Sequence, residues 1–569
     1  MLVDFSGSSM ALQMPLVFLQ DKRIYNAIEN DDLSEVVIVI MNLFKENNIL
    51  FQASEQKSEV TSNHHRSAGN AAYLKADYRA TLEHYNKALL CAPKGSSALA
   101  LAYSNRSALL LTLKLYQECL TDIERCLDLD CPPGVVAKLM KRKRDAEANI
   151  NLNDNFTEHV MTKLCTELLA LKSPRNPDIP CASTDINVVV DSGMPKVVTT
   201  KAVTIGTVLA IEQAYISTEN AAYKLISCHY CQNVNTNMIP CDNCCTALFC
   251  NDTCKKKCIA EYHSVVCKLS MAIETSPEEM LSYVKAAIKL RNSFNSWEEF
   301  NEVSLLLGPD RIKISEPSQI YNGEIKFSIL NVSKERHFTH GRIYNCAVEF
   351  AQIICCIVQK GSFFPDKSDD KINAIRSFSR VLMHIGMNAS VIDVLSCVSI
   401  MSLKGRELGL TCKGIYPLIG KLRHSCNPNV LAIGLNNRIA LLALQPMPQG
   451  TELNISYAGH WLDYTVNFRQ EMLLLRHFII CSCHICRGIT LTNQKKPNEA
   501  QIQIYNKLNP KVAERVVNYR NFLKIYNESV NALTQLSDLP FSEEYKSIYG
   551  LFRNLVLHIQ HYVCPNIRI

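Results

Sequence analysis

Apolar positions recur at two different periods along the chain. Over residues 1–60 and again over 62–150 they follow the three-to-four spacing of amphipathic helices. Acidic residues (Glu29, Asp31, Asp32) mark the first stretch, which carries no motif. The pattern breaks at Pro174, Pro177, Pro180 and Pro195, with the β-branched run Ile186–Val190 between them. A loop-rich boundary followed by short strands is predicted there. Strand-like pieces continue through Lys196–Thr200 and Val208–Glu212. From 268 to about 405 the period is mostly helical, with a polar loop at Pro309–Gly323; strand and loop signals return over 410–457. In the tail, 495–569, Val512, Val516, Val517, Phe522 and Leu523 recur near helical spacing. Val36–Met41 is too short to cross a membrane. Ala347–Val358 is interrupted by Glu349 and Gln352 and reads as a buried helix. No stretch approaches 18 uncharged apolar residues, so no spanning helix is expected.

Within 62–150 the helical pattern repeats. Gly69-Asn70 is followed by Tyr78, Tyr85, Ala88 and Pro93, offsets that match the 34-residue tetratricopeptide unit of helix, turn and helix. Small residues let the two helices approach, and aromatics fill the groove between them. A second unit spans about 100–133, with Tyr116, Leu120 and Cys126 in matching places, and a third helix, rich in Lys and Arg, starts near Val136.

Composition changes the picture at one point. Hydrophobic residues make up 47% and charged residues 20%, ordinary for a globular chain and incompatible with a largely disordered one. The formal charge is +6, from 60 basic and 54 acidic residues, which gives no reason to expect a membrane or direct nucleic-acid partner. The 25 cysteines are the exception. Met1 to Gln20 lacks the basic and apolar regions of an export signal, so a reducing compartment is expected, where clustered cysteines suggest metal sites.

The pairs Cys228-x2-Cys231, Cys241-x2-Cys244, Cys250-x3-Cys254 and His263-x3-Cys267 place eight soft ligands in one short segment. Zinc takes four thiolate or imidazole ligands tetrahedrally, and eight ligands hold two ions. Cys245 and Cys258 are spares. The order of pairs, with Phe249 just before the third, resembles a MYND finger. That resemblance implies interleaving: Cys228, Cys231, Cys250 and Cys254 on one ion, and Cys241, Cys244, His263 and Cys267 on the other. It also implies an interaction domain, often for proline-rich peptides, whose closed sites do no chemistry.

A second constellation lies downstream. Arg423-His424-Ser425-Cys426-Asn427-Pro428-Asn429 resembles the N-H-S-C-x-P-N signature of SET-domain methyltransferases, and Gly414-Ile415-Tyr416-Pro417 resembles the strand before it. Gly450 to Tyr457 resembles the G-E-E-L-x-x-x-Y element, and Cys481-x-Cys483-x2-Cys486 the post-SET zinc loop, whose fourth ligand would be Cys426. Upstream, Ile205 to Glu212 resembles the N-terminal half of the same domain. The order of these pieces resembles the SET and MYND domain family, in its tetratricopeptide-bearing member-four type.

The resemblance implies an α+β multidomain chain. An N-terminal helical segment (1–60) precedes tetratricopeptide-like repeats (62–150). A β-rich SET domain (180–227 and 406–460) is split by the MYND finger (228–267) and a helical insert (268–405). A post-SET zinc loop (478–490) and a helical C-terminal region (495–569) follow. The implied activity is S-adenosylmethionine-dependent methylation of protein lysine, histone or otherwise, with three zinc ions. Tyr457 would orient the amine, and Tyr416 would be a channel aromatic or a core one. Asn388, in Met387-Asn388-Ala389, would meet the amino-acid end of the cofactor, and His424 the adenine or ribose side. Three positions of that pocket depart from the family. Met194-Pro195-Lys196 stands where the family has G-R-G, Arg423 replaces the asparagine of N-H-S-C, and Ile479 replaces an aromatic, with Phe478 displaced by one. They leave a second reading open, a degenerate SET domain kept as a scaffold.

Arg66, Asn70, Asn105, Lys138 and Arg142 resemble the clamp positions with which tetratricopeptide domains hold heat-shock chaperone tails; a solvated basic face is the other reading. Proline-rich peptides or a histone deacetylase are further expected partners. Lys141-Arg142-Lys143-Arg144 is a weak nuclear-import pattern, and cytoplasm and nucleus are the expected locations.

Overall fold

The computed structural model describes residues 21–47, 49, 56–129, 131–150, 156–191, 194–269, 278–307, 325–331, 340–361, 363–389, 391–398, 407–458, 461–462, 464–477, 479–483, 485–487, 496–510, 513–514, 517–540 and 542–563. The Pro309–Gly323 loop, Phe478, Val512 and Val516 lie outside them. The described residues form a mixed assembly of helices and small sheets.

Helices α1 (Lys22–Glu29) and α2 (Leu33–Glu46) begin at Asp21 and Asp32, whose side chains accept from the backbone N–H of Arg23 and Glu35. Val36, Val37, Ile40 and Leu43 of α2 are buried in the same core as the helices of the later insert, so the N-terminal pair is a lid on that insert. Five helices follow: α3 (Glu59–Leu74), α4 (Tyr78–Cys91), α5 (Ser97–Thr112), α6 (Tyr116–Leu127) and α7 (Pro133–Asn149). A Cβ on Gly69 would lie 2.5 Å from the ring of Tyr85, which is why α3 and α4 can approach only with glycine there.

One ion pair inside these helices is invisible to hydrophobic patterning. Arg106 and Asp122 are fully buried, with Nε and Nη2 donating to the two carboxylate oxygens at 2.6 and 2.8 Å. Arg106 Nη1 also donates to Asn86 Oδ1 at 2.7 Å, and Asn237, outside the helices, donates to Asp122 Oδ1 at 2.8 Å. The buried charges are therefore paired and saturated with hydrogen bonds, the condition for keeping them inside.

After α8 (Phe156–Leu168) the chain builds a body of short strands. β1 (Ile186–Asp191) pairs with β2 (Met194–Thr199) antiparallel. β3 (Val208–Gln213) pairs with β11 (Arg438–Ala443), which pairs with β10 (Val430–Leu435). β4 (Ile216–Glu219) pairs with β8 (Glu407–Ile415), which pairs with β7 (Val391–Val398). β12 (Asn454–Ile455) runs parallel to β9 (Arg423–His424). Strands distant in sequence thus share sheets, so the body is split by everything between β4 and β7. Its core includes Leu209, Ala210, Leu418, Ile419, Leu441 and Leu453. Glu212 is buried here because its carboxylate accepts from the backbone N–H of Leu418 and Ile419, each at 2.8 Å, at the start of the turn Ile419–Lys421.

The segment between holds β5 (Ile239–Pro240), β6 (Leu248–Phe249) and α9 (Asp252–Cys258), then α10 (Glu278–Asn292), α11 (Trp297–Leu305), α12 (His340–Lys360) and α13 (Ser368–Asn388). The helical reading of 268–405 needs correction at its end. Val391–Val398 is a strand, and the sheet body resumes directly after Asn388. Its β-branched Val391, Ile392, Val394 and Val398 favour extended backbone, and pairing with β8 supplies its hydrogen bonds. The reading of Ala347–Val358 as a buried helix holds within α12, although Gly341–Gln359 is long and apolar enough to cross a membrane by length and composition. Ala347, Phe350, Ile353 and Ile354 are fully buried in the main core, as expected of a core helix.

The tail forms α14 (Val466–His477), α15 (Glu499–Leu508), α16 (Phe522–Gln535) and α17 (Glu543–Val563). Phe522 is buried and Leu523 is exposed, so Leu523 is off the packed face. α16 and α17 share a core with α8 and with Ile433, Leu435, Ala440 and Leu442 of β10 and β11, which closes that sheet from outside.

Candidate metal centres and candidate active site

The hairpin β5–β6 and helix α9 bring the first two ligand groups together. Cys228, Cys231, Cys250 and Cys254 form one group, and Cys241, Cys244, His263 and Cys267 a second, with ligand atoms within 4.8 Å of one another in each. Cys241 follows β5 directly and Cys250 follows β6 directly. Asn251 caps α9 by accepting from Cys254 N at 2.8 Å, which fixes the turn between two ligands. His263 Nε2 lies 3.3 Å from Cys241 Sγ and 3.5 Å from Cys244 Sγ. Four clustered soft donors per group, mostly buried, suit a closed tetrahedral zinc site.

A buried charge network backs the second group. His229 sits between two ligands of the first group, and its Nδ1 is 2.7 Å from Glu219 Oε1 of β4. Burial pushes the His229 imidazole down to about 4, so it is neutral, with Nδ1–H donating. Burial alone would raise Glu219, but His229 and Lys285 beside it hold its carboxyl well below the usual range. Lys285 on α10 is fully buried, with Nζ 3.7 Å from Glu219 Oε2. The sequence reading missed Glu219 and Lys285; a charged residue ending a short apolar strand was the available signal.

The third group is Cys426, Cys481, Cys483 and Cys486, also within 4.8 Å. Cys426 Sγ is 3.5 Å from Cys486 Sγ and 3.9 Å from Cys481 Sγ. Helix α14 clamps this loop: the Gln470 amide donates to Cys481 O at 2.6 Å and accepts from Cys481 N at 3.0 Å. Arg469, only 1% exposed, places Nη2 3.9 Å from Cys486 Sγ. Burial alone would lower this guanidinium, but the Cys426 and Cys486 sulfurs hold it up. Four thiolates on one divalent ion carry net negative charge, and a buried cation beside them offsets part of it. Arg469 was not foreseen; on a helix it reads as a surface charge.

Tyr457 and His424 adjoin this group. Tyr457 N donates to His424 Nδ1 at 3.0 Å, so the proton is on His424 Nε2, which lies 3.3 Å from Cys426 Sγ. Both ring nitrogens are thereby committed to the protein, and only the ring face and backbone of His424 remain for a ligand. The Tyr457 ring is 5.4 Å from that of His424, and its hydroxyl donates to Leu422 O. Ile479 and Tyr457 pack against the same small core as Cys426 and Cys481.

The remaining candidates are more dispersed. Arg423 turns to Glu452, with Nε 3.3 Å from Oε1, while its Nη2 is buried without a hydrogen-bond partner. Lys196 lies 4.0 Å from the other oxygen of Glu452 and also bonds Asp191. Met194 and Pro195 are paired in β2, opposite Asp191 and Val190. Asn388 ends α13 and donates to His384 O at 2.9 Å. Tyr416 is fully buried in the sheet core, its hydroxyl without a partner and its pKa raised by burial. Because Val391 faces Ile415, Asn388 and Tyr416 stand at the same end of the β7–β8 pair.

On the helix repeats, Asn105 Nδ2 donates to Asn70 Oδ1 at 2.7 Å, and the Tyr85 hydroxyl donates to the same oxygen at 2.9 Å. Arg66 donates to Asn63 at 3.2 Å, Lys138 is exposed, and Arg142 Nη1 donates to Ser104 O and Ser107 Oγ. Asn70 and Asn105 are thus brought together, while Arg142 is already committed to α5.

No protein-family model matches the chain. Among curated proteins it is 22% identical over 524 residues to the zebrafish (Danio rerio) "Protein-lysine N-methyltransferase SMYD4", covering 77% of this chain and 68% of that protein. It is 23% identical to the human protein of the same name, covering 74% and 66%. The match spans about two thirds of each relative's length. A wheat (Triticum aestivum) "Hsp70-Hsp90 organizing protein" is 32% identical over 117 residues, 20% of this chain and 19% of that one. Over about three quarters of its length, the chain resembles SET and MYND domain proteins of the SMYD4 type.

Proposed function

We propose that the chain is an S-adenosylmethionine-dependent protein-lysine N-methyltransferase, with a SET domain divided by a two-zinc MYND finger and a third zinc at Cys426, Cys481, Cys483 and Cys486. The observation that carries this reading is the hydrogen-bonded linkage of the Tyr457 backbone, His424 and Cys426, which ties the segment that bears the aromatic hydroxyl to the metal loop. The donor sets suit zinc. Two buried polar atoms without partners, Arg423 Nη2 and Tyr416 Oη, suit a polar cofactor. Arg423, held by Glu452 through Nε, keeps Nη2 for its carboxylate.

S-adenosylmethionine, when bound, supplies an electrophilic methyl group on a sulfonium. The chain's residues position the nucleophile. The Tyr457 hydroxyl proton is committed to Leu422 O, which leaves an oxygen lone pair to accept from an incoming amine. The test is transfer of labelled methyl to lysine by the zinc-loaded protein. Absence of transfer to any protein together with absence of cofactor binding would leave the scaffold reading, which Met194-Pro195-Lys196 favours because none of these three residues is glycine and all three are paired in β2.

The helix repeats would be a docking module of tetratricopeptide type for acidic C-terminal tails, chaperone tails among them, as the partial likeness to an Hsp70-Hsp90 organizing protein suggests. Proline-rich peptides or a histone deacetylase would be partners of the finger, and nucleus and cytoplasm the locations. Lys138→Ala is expected to weaken binding of a peptide ending in two carboxylates about tenfold, the order of one charge-assisted hydrogen bond. Unchanged affinity by calorimetry would assign Lys138 to a solvated face.

A further inference from the structure

The last turn of α13 carries a carboxamide whose N–H groups are both committed inside the protein. Asn388 Nδ2 donates to His384 O at 2.9 Å and lies 3.4 Å from His384 Nδ1, one turn earlier on the same helix. His384 Nε2 is 2.9 Å from Leu330 O, in the turn Ile325–Asn331. A carbonyl oxygen only accepts, so Nε2 carries the proton. Burial pushes the imidazole below its ordinary value, against the raising effect of Leu330 O, so the ring is neutral and Nδ1 keeps its lone pair. Nδ1 therefore accepts the second Asn388 hydrogen, and Asn388 Oδ1 is left with no hydrogen-bond partner among the described residues. We propose that His384 is a positioning residue, which turns the Asn388 carboxamide so that Oδ1 accepts from the α-ammonium group of S-adenosylmethionine.

The turn that presents this oxygen is held from three sides. A Cβ on Gly386 would lie 2.8 Å from Phe350 Cζ, so α13 seats on α12 at this point only with glycine. The Tyr283 hydroxyl of α10 is 3.5 Å from Ala389 O, and Leu330 holds the imidazole. Asn388 itself is half-buried, open to a ligand on one side. Its polarity decides which end of the cofactor it takes. An ammonium has only donors and a carboxylate only acceptors. A carboxamide with both N–H groups committed suits the ammonium, and Arg423 Nη2 remains for the carboxylate. His384 O alone would leave the carboxamide free to swing about one hydrogen bond, and the contact with Nδ1 fixes it. That contact is long, so its effect on affinity is modest.

The inference rests on the reading that the chain binds S-adenosylmethionine, which titration of the wild-type, zinc-loaded full chain decides by itself; no binding there removes both. His384→Gln keeps an N–H that reaches toward Leu330 O and removes the acceptor at Nδ1. His384→Asn keeps an acceptor near the Nδ1 position and removes the tie to Leu330. By calorimetry His384→Gln is expected to weaken cofactor binding about three- to tenfold, the order of one net hydrogen bond. His384→Asn should bind the cofactor more tightly than His384→Gln does. In an Asn388→Ala background His384→Gln should cause no further loss, because its effect runs through that side chain. Wild-type affinity in His384→Gln would overturn the proposal. So would the reverse order of the two variants, or an equal loss from His384→Gln with and without Asn388, either of which would make His384 a strut between α13 and Leu330.

Discussion

Asp122→Ala is expected to destabilise the helix repeats by about 3–5 kcal/mol, the cost of leaving a buried cation without its partner. Arg106 is fully buried and has Asp122 as its carboxylate partner, with Asn86 and the ring of Tyr103 as further neutral support. Asp122 also receives Asn237 from the finger and lies 3.3 Å from Arg125, which itself donates to Asn237 Oδ1 at 2.7 Å. The substitution therefore loosens two contacts at once, the packing of α5 on α6 and the seat of the finger on α6. Denaturant unfolding followed by circular dichroism measures the first, and hydrogen exchange over α5 and α6 locates it. The double substitution Arg106→Met, Asp122→Leu should recover much of the loss, because an apolar pair no longer carries an unpaired charge. A cost below about 1 kcal/mol for the single change would mean that the pair is hydrated in solution, as exposed pairs are.

Tyr457→Phe is expected to lower methyl transfer about 10²- to 10³-fold, the usual consequence of removing one preorganised polar group from a reacting centre. The ring stays, so its packing with Ile479 and against His424 is retained. The Tyr457 N–H to His424 bond is a backbone contact and survives too. Zinc content and cofactor affinity should therefore stay near wild type while kcat falls. A loss confined to KM, or a fall in zinc content, would move Tyr457 from the reaction to the scaffold of the metal loop. A turnover within a few fold of wild type would remove it from both.

The parts that were legible in the sequence are those set by short-range rules. Paired cysteines at x2 and x3 spacing imply shared ions whatever the fold, and the helix repeats follow from small and aromatic residues at fixed offsets such as Gly69 and Tyr85. The three short strands from Ile186 to Glu212 follow from β-branched runs between prolines. Misread elements depend on tertiary context. Val391–Val398 follows a long helix without a breaker, and only pairing with β8 makes it a strand. Arg106, Asp122, Arg469 and Lys285 look like solvated helix charges until neighbouring helices bury them. The expectation that the backbone and imidazole of His424 lie against the adenine or ribose side of a cofactor is narrowed to the backbone and the ring face, because both ring nitrogens are committed, to Tyr457 N and toward Cys426. Arg423, which stands where the family signature has asparagine, is turned to Glu452, a partner 29 positions along the chain that local motif reading does not reveal.

The pocket beside Tyr457 is where the enzyme and scaffold readings part, and its three departures from the family all bear on one ligand. Calorimetric titration of S-adenosylmethionine into the zinc-loaded full chain is the most direct measurement. Saturable binding at one site per chain, weakened by Arg423→Ala and undisturbed by Tyr457→Phe, is the result this account predicts. No heat of binding up to millimolar cofactor, with all zinc sites filled and the protein folded, would contradict it.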